Sequence, residues 1–278
     1  MPHPFADLSL ARRLESAEAQ ANVAFVEARG RLFPESGAAW MEAGSARAMF
    51  DGVSSPLTQT FGLGMSGAVS ADDLTSIERF FGERGAPAYH EVSPLADASV
   101  LSLFQERGYQ PFEFTSVLCQ PIDREFGIAA ERPPDLRVRM ISRDETSLWA
   151  ETAAGGWSET PELASFISAF AAVVLESRGV VCFVAELDGQ AIATAAMSLA
   201  GGVALLAGAS TIPAGRRRGA QLALLDARLR LAASEGCDLA MMCAAPGSAS
   251  QRNAERQGFR LAYTRIKWRL PQPPVAGA

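Results

Sequence analysis

The sequence predicts an α+β protein made of two similar halves, and three observations carry that expectation. The first is an internal echo. Gly85 through Ala-Pro-Ala-Tyr-His-Glu-Val-Ser-Pro94 to Glu106-Arg107-Gly108-Tyr109 and Pro121 is matched by Gly236 through Cys-Asp-Leu-Ala-Met-Met-Cys-Ala-Ala-Pro246 to Arg256-Gln257-Gly258-Phe259 and Pro271. Each copy reads as a short apolar strand, a proline, a helix of about three turns, a Gly-aromatic stop and a final strand hairpin. The second observation is that matching strands and a helix precede each copy. The third is residues 123–135, which are polar, lack periodicity and contain Pro133-Pro134, and so read as a linker. A solenoid needs roughly three or more units, so two copies indicate a duplicated domain.

The elements follow in order. Residues 38–43, 46–50 and 57–63 read as successive strands, and residues 71–84 as a helix with Leu74, Ile77, Phe80 and Phe81 on one face. In the second half, 137–141 reads as a strand, and 144–153 and 161–177 as helical segments. Strands 180–187 and 191–199 are joined through Asp188-Gly189, a strong hairpin signal. Strand 203–209 then runs into Ser210-Thr211-Ile212-Pro213-Ala214-Gly215-Arg216-Arg217-Arg218-Gly219-Ala220-Gln221, from which an amphipathic helix leaves over 221–234. The expected organisation is a first domain over 1–122, the linker over 123–135, a second domain over 136–271, and a flexible tail over 272–278.

The chain has 278 residues, 48% of them hydrophobic, enough to bury two cores. Its formal net charge of −6 argues against a nucleic-acid or membrane-surface partner. The arginine triplet is therefore a local feature, suited to a small anion. No apolar run approaches a membrane span and the start lacks a leader pattern, so a cytoplasmic location is expected. Cys119, Cys182, Cys237 and Cys243 are scattered without a CxxC pair, and the two histidines are His3 and His90. Packed thiols and no metal centre follow.

Arg216-x-x-Gly219-x-Gln221 lies where a strand hands over to a helix start, which presents unpaired N–H groups and a positive dipole end. Three arginines there are unfavourable unless an anion is present. A pyrophosphate fits such a cradle. The competing reading, that the arginines only solvate a helix start, leaves this repulsion unanswered.

The run is similar to the Gln/Arg-x-x-Gly-x-Gly/Ala signature of the GNAT acyl-CoA-dependent N-acetyltransferases. Pro246-Gly-Ser-Ala-Ser-Gln-Arg-Asn-Ala-Glu-Arg-Gln-Gly-Phe259 likewise resembles that family's helix ending in Gly-Phe. The resemblance covers 136–271 and, more weakly, 1–122. It implies two GNAT-like domains, each a mixed, mostly antiparallel sheet flanked by helices. It implies acetyl-CoA as co-substrate and a small-molecule primary amine as acceptor, in direct attack within a ternary complex. The pyrophosphate is expected on the main chain of Arg216, Arg217, Arg218, Gly219, Ala220 and Gln221. The pantetheine arm is expected along Ser210, Thr211 and Ile212, with 239–243 as the neighbouring strand. Ser248 and Asn253 are candidates to touch the cofactor arm, although Ser248 is equally placed to N-cap its helix. A monomer or homodimer is expected.

The first half reads Gly62-Leu63-Gly64-Met65-Ser66-Gly67-Ala68-Val69-Ser70 where the second has its arginines, followed by Asp72 and Asp73. Those carboxylates compete for the helix dipole that a phosphate needs, so this half is expected to lack the cofactor motif. The second half departs from the family too. Ala254 stands where many members carry a tyrosine acid, and no carboxylate lies between Ala191 and Leu206. Tyr263 and Glu159 are the catalytic candidates. A packed tyrosine and a solvated helix-start charge are the competing readings. Glu186, Cys243, Trp149 and Trp157 are weaker candidates for the site. A non-catalytic acyl-CoA-binding sensor or scaffold is the alternative function. An RNA contact by the arginines is a poor third, since no aromatics are interleaved with them.

Overall fold

The computed structural model describes residues 2–123 and 133–271. The described residues divide into two compact units, a central one running from 121 to 242 and a terminal one that combines 2–120 with 243–271. The expected linker falls mostly, and the expected tail wholly, outside the described residues.

The terminal unit begins with α1 (Leu8–Leu32), β1 (Ala39–Ala43), β2 (Ala46–Phe50), β3 (Gln59–Phe61), α2 (Ala71–Gly82), β4 (Tyr89–Val92), α3 (Ser99–Arg107) and β5 (Gln110–Pro121). Helix α1 has no counterpart in the sequence reading. It starts where the Asp7 carboxylate accepts the Leu10 N–H. It lays Ala19, Val23 and Val26 against Met49 and Phe61. The alternate residues Ala48 and Phe50 belong to a second cluster with Leu74, Ile77 and Phe81 of α2 and Val100 and Phe104 of α3. The period of two along a strand thus places α1 on one face and α2 and α3 on the other.

The central unit contains β6 (Leu136–Met140), α4 (Thr146–Gly155), α5 (Pro161–Glu176), β7 (Val180–Leu187), β8 (Gln190–Ala200), β9 (Val203–Thr211), α6 (Ala220–Ser234) and β10 (Leu239–Ala244). Strands β6 to β9 pair antiparallel in chain order, and β10 lies parallel to β9. Asp188 and Gly189 both take positive φ, the geometry of the tight hairpin that their pairing predicts. Trp149 and Ala153 of α4 and Ala171 of α5 pack on Cys182 and Ala196, while α6 runs along β6 to β9. This is the mixed, mostly antiparallel sheet flanked by helices that the resemblance implied.

The chain then returns to the terminal unit through α7 (Ala249–Arg256) and β11 (Arg260–Arg269). Here the structure departs from the expected organisation. The last strand was expected to finish the second half. It instead pairs antiparallel with β4 and β5, so the terminal sheet runs β1-β2-β3-β4-β11-β5. The two expected final hairpins are each one long strand, because neither 110–121 nor 260–269 contains a Gly or Asn to turn on. The echo itself is plain in the elements, α3 and α7 each ending at a glycine of positive φ before a buried aromatic, Tyr109 or Phe259.

Candidate functional site

Strand β9 is irregular where the site is built. Thr194 pairs with Ser210 and Ala196 with Ala207, so β9 carries one more residue than β8 between those pairs. Gly208 lies in this bulge with φ +61. An added Cβ there would meet the Ala196 Cβ at 3.2 Å and the Trp149 ring at 3.6 Å. A side chain is therefore excluded twice, by backbone conformation and by space. Trp149, one of the weaker candidates, is core: its ring is buried and its Nε1–H donates to the Phe183 carbonyl at 3.0 Å. On its other side, β9 pairs with β10 only from Val203–Leu205 to Leu239–Met241. Past Leu205 no pairing to β10 continues.

At the end of β9 the chain makes a short 3-10 turn over Pro213–Gly215. Gly215 is pressed against Ile192, whose Cβ would stand 2.8 Å from an added Cβ. Arg217 adopts φ +63 and Gly219 φ +77, so the arginine run is a coiled turn and not helix. Gly219 is the N-cap of α6, and no side chain caps that helix. The first N–H groups of α6, those of Ala220 and Gln221 among them, have no intrahelical acceptor by construction. The Gln221 side chain is occupied elsewhere. Its Nε2 donates to the Ser210 carbonyl at 2.8 Å and to Thr211 Oγ1 at 2.9 Å, tying α6 to the end of β9.

The turn between α4 and α5 closes over the same strand end. Ser210 is buried and its hydroxyl donates to the Ala153 carbonyl at 2.7 Å. Gly156 sits so close that an added Cβ would collide with Ser210 Oγ and lie 2.9 Å from the Thr211 nitrogen. Ile212 donates its N–H to the Ile192 carbonyl and accepts the Gly215 N–H on its own carbonyl, so both of its main-chain groups are engaged within the turn. A cleft of about 370 Å³ opens here, lined by Gly156, Trp157, Glu159, Thr160, Ala209, Ser210, Thr211 and Arg216. Within it Arg216 Nη2 donates to Glu159 Oε2 at 3.0 Å and to the Gly156 carbonyl at 3.3 Å. Trp157 is 42% exposed on the cleft wall. The structure thus brings Glu159, Ser210, Thr211 and the arginine turn together.

Tyr263 lies in the terminal unit, buried, with its hydroxyl donating to Glu15 Oε1 at 2.8 Å. Burial, and then the Glu15 charge, push its pKa far above the usual phenol range, so it is a poor proton donor. This environment favours the packed-tyrosine reading. The same carboxyl accepts from Arg265 Nε at 2.7 Å, Arg265 Nη2 donates to Glu18 at 2.6 Å, and Glu91 lies 3.5 Å from Nη1. Arg265 is fully buried. Burial raises the pKa of Glu15 and of Glu91, with Arg265 opposing it in both. Cys243, another candidate, donates its thiol to Glu18 in this network. Sequence reasoning missed the cluster because Glu15 and Arg265 sit 250 positions apart.

Ser248 also lies in the terminal unit, where its hydroxyl accepts the Gln251 N–H at 3.2 Å as the N-cap of α7, and Asn253 is exposed on the same helix. Glu186 pairs with Arg139 at 2.7 Å. The counterpart of the arginine turn, at the start of α2, is closed by its own side chains. Ser70 and Asp73 form a reciprocal capping box there, with the Ser70 hydroxyl donating to Asp73 at 2.7 Å.

Residues 124–246 match the family model described as an acetyltransferase (GNAT) domain. That stretch of the chain is similar to a GNAT acetyltransferase domain. Over nearly its whole length it has the fold of solved GNAT structures. A GCN5-related N-acetyltransferase from Kribbella flavida aligns at 19% identity over 95% of this chain and 96% of that one, with a TM-score of 0.62. One from Sphaerobacter thermophilus aligns at 18% identity over 94% and 95%, with a TM-score of 0.53. A tandem GNAT protein from the clavulanic acid biosynthesis pathway aligns at 14% identity over 82% and 79%, with a TM-score of 0.56. No curated protein matches the sequence. Among the described residues, no helix is long and apolar enough to cross a membrane and no group of His, Cys, Asp and Glu could hold a metal ion.

Proposed function

We propose that this GNAT domain is an acetyl-CoA-dependent N-acetyltransferase acting on a small primary amine. The observation that carries the reading is the start of α6. A helix N-terminus that has glycine for a cap, no capping side chain and three arginines before it is built to receive an anion. The residues fit the cofactor. Main-chain N–H groups from Arg217 to Gln221 would hold the pyrophosphate, and the Arg216 to Arg218 side chains add charge-assisted hydrogen bonds. The edge of β9 away from β8, which has no pairing to β10 past Leu205, would hold the pantetheine arm as an added strand.

Bound acetyl-CoA would supply a thioester carbonyl open to attack by an amine, with the coenzyme A thiolate as leaving group. The rest falls to the chain. The cleft beside β9 positions the acceptor. Glu159 attracts its ammonium group and takes one proton, leaving the neutral nitrogen to attack the carbonyl, and the second proton that nitrogen gives up as the amide forms passes through water to the departing thiolate. With Tyr263 committed to Glu15, protonation of the thiolate is left to water. The acceptor remains a cation-bearing small molecule in this reading, and the terminal unit, with its start of α2 closed by Ser70 and Asp73, binds no coenzyme.

Coenzyme A at 100 times its Kd should stabilise the wild-type protein by about 2.7 kcal/mol. The R216A/R218A double variant, and Gly219→Val, which forces a β-branched residue into the left-handed region, should lose that stabilisation. Undiminished stabilisation in both would place the coenzyme elsewhere and end the proposal. A non-catalytic sensor is the second reading, favoured by the buried Ala254 and by the withdrawal of Tyr263. Thiol release from acetyl-CoA across a panel of amines separates the two, since a sensor binds and releases none.

A further inference from the structure

Helix α6 carries a buried cation with no carboxylate partner among the described residues. Arg228 is 3% exposed, and none of its interactions is with a carboxylate. Its Nε donates to the Leu224 carbonyl of its own helix at 3.2 Å. Its Nη1 donates to the Ala196 carbonyl at 3.2 Å and to the Ala207 carbonyl at 3.4 Å. Those two residues face each other across β8 and β9 at the last regular pair before the bulge. Burial brings the Arg228 pKa down to about 10, still charged at neutral pH. A buried guanidinium of this kind is costly, and a leucine would fill the same face of α6, which presents Leu224, Leu225 and Leu229 beside it. Stability alone does not call for it.

What it touches does. The Ala207 carbonyl and the Gly208 N–H belong to one planar trans peptide, so that N–H points away from Arg228. A cation on the oxygen polarises the whole unit and strengthens its N–H as a donor. The bulge also needs a fixed shape, because its extra residue takes β9 out of register with its neighbour.

We propose that Arg228 is a positioning residue, holding the Ala207–Ala209 bulge in the shape and polarity that receive the thioester carbonyl. The inference rests on the acetyl-CoA reading, which lays the pantetheine arm along β9 and thereby carries its acyl end to the bulge. Arg228 itself touches neither substrate. It acts on the acyl end of the coenzyme and leaves the pyrophosphate turn alone.

The test compares acetyl-CoA with coenzyme A by calorimetry in wild type, Arg228→Met and Arg228→Lys. The wild type should prefer acetyl-CoA. In Arg228→Met the affinity for coenzyme A should hold within about twofold while the preference falls on the order of tenfold, the factor one charge-assisted hydrogen bond carries. Arg228→Lys, which keeps the charge with a single donor group, should retain part of the preference. An unchanged preference in both variants overturns the proposal. Amide exchange over 205–210 without ligand supplies an independent readout. It should quicken about tenfold in Arg228→Met, and by less in Arg228→Lys. Unchanged exchange would also overturn the proposal. If wild type binds neither ligand, the functional reading fails, and exchange alone then decides whether Arg228 holds the bulge.

Discussion

Gly156→Ala is the sharpest test of how the cleft is built. Gly156 has an ordinary helical φ of −68°, so alanine costs nothing in backbone conformation. The whole effect comes from space. A methyl group at this position would overlap Ser210 Oγ and lie 2.9 Å from the Thr211 nitrogen and 3.1 Å from its oxygen. Rotating Ser210 away breaks its hydrogen bond to the Ala153 carbonyl, and it leaves both Thr211 contacts, which are main chain and cannot rotate. The α4–α5 turn must therefore lift from β9. Overpacking of this kind costs about 1–3 kcal/mol, and the lost buried hydrogen bond about 1 kcal/mol more. At roughly 2–4 °C per kcal/mol for a protein of this size, the melting temperature should fall by about 4–16 °C. Scanning calorimetry measures it, and the coenzyme A affinity should fall with it because Thr211 is displaced. The double variant Gly156→Ala/Ser210→Ala should recover little, since the Thr211 contacts remain. A melting temperature within a degree of wild type, or full recovery in the double variant, would refute the packing argument.

Two further outcomes follow from the electrostatics. His90 is buried with Tyr109 OH 3.1 Å from its Nε2, and burial lowers its pKa from 6.5 to about 3. The folded state therefore excludes a proton that the unfolded chain binds, so stability is full above pH 6.5 and drains as pH falls toward 3, at up to about 1.4 kcal/mol per pH unit. Urea unfolding at pH 7 and pH 4.5 should show a smaller acid loss in His90→Gln than in wild type, and equal losses would contradict the assignment. Glu159→Gln removes the partner of Arg216 in a half-exposed pair, a contact worth about 0–1 kcal/mol. Its melting temperature should hardly move. Coenzyme A should bind up to a few-fold more tightly because Arg216 is released, while amine acetylation falls. Weaker coenzyme binding would mean that Arg216 does not serve the phosphate.

What the sequence made legible was local. Asp188-Gly189 specified its hairpin, and the arginine run before α6 stood against the helix dipole. Gly208, a lone glycine inside the apolar run Leu205-Leu206-Ala207, carried a signal for the bulge that went unread. Arg228 carried one too, since it falls four residues after Leu224, on the apolar face of α6. The partner of Tyr263 was out of reach for a different reason. That partner is Glu15, and no spacing rule reaches across 248 positions. Strand partners are equally invisible to periodicity. The pattern of 260–269 is that of a half-buried strand whichever sheet receives it, and only the packing of β4 and β5 decides that β11 lies between them.

The two helix starts show how one fold serves two ends. Both α2 and α6 follow a glycine-bearing turn after a strand, and both leave N–H groups pointing forward. In α2 the demand is met from inside, where Ser70 and Asp73 cap each other and Asp72 adds negative charge at the dipole. Such a cap is worth about 1 kcal/mol. Helix α6 forgoes it and adds three cations where the dipole repels them, at about 0.3–1 kcal/mol each. A free-standing helix has no use for that arrangement. An anion arriving from solvent reverses the sign of every one of those contributions, so the instability of the free turn becomes affinity for the ligand. The asymmetry between the N-caps Ser70 and Gly219 is thus the physical difference between a helix start closed by its own side chains and one left uncapped, which the proposed function fills with a phosphate.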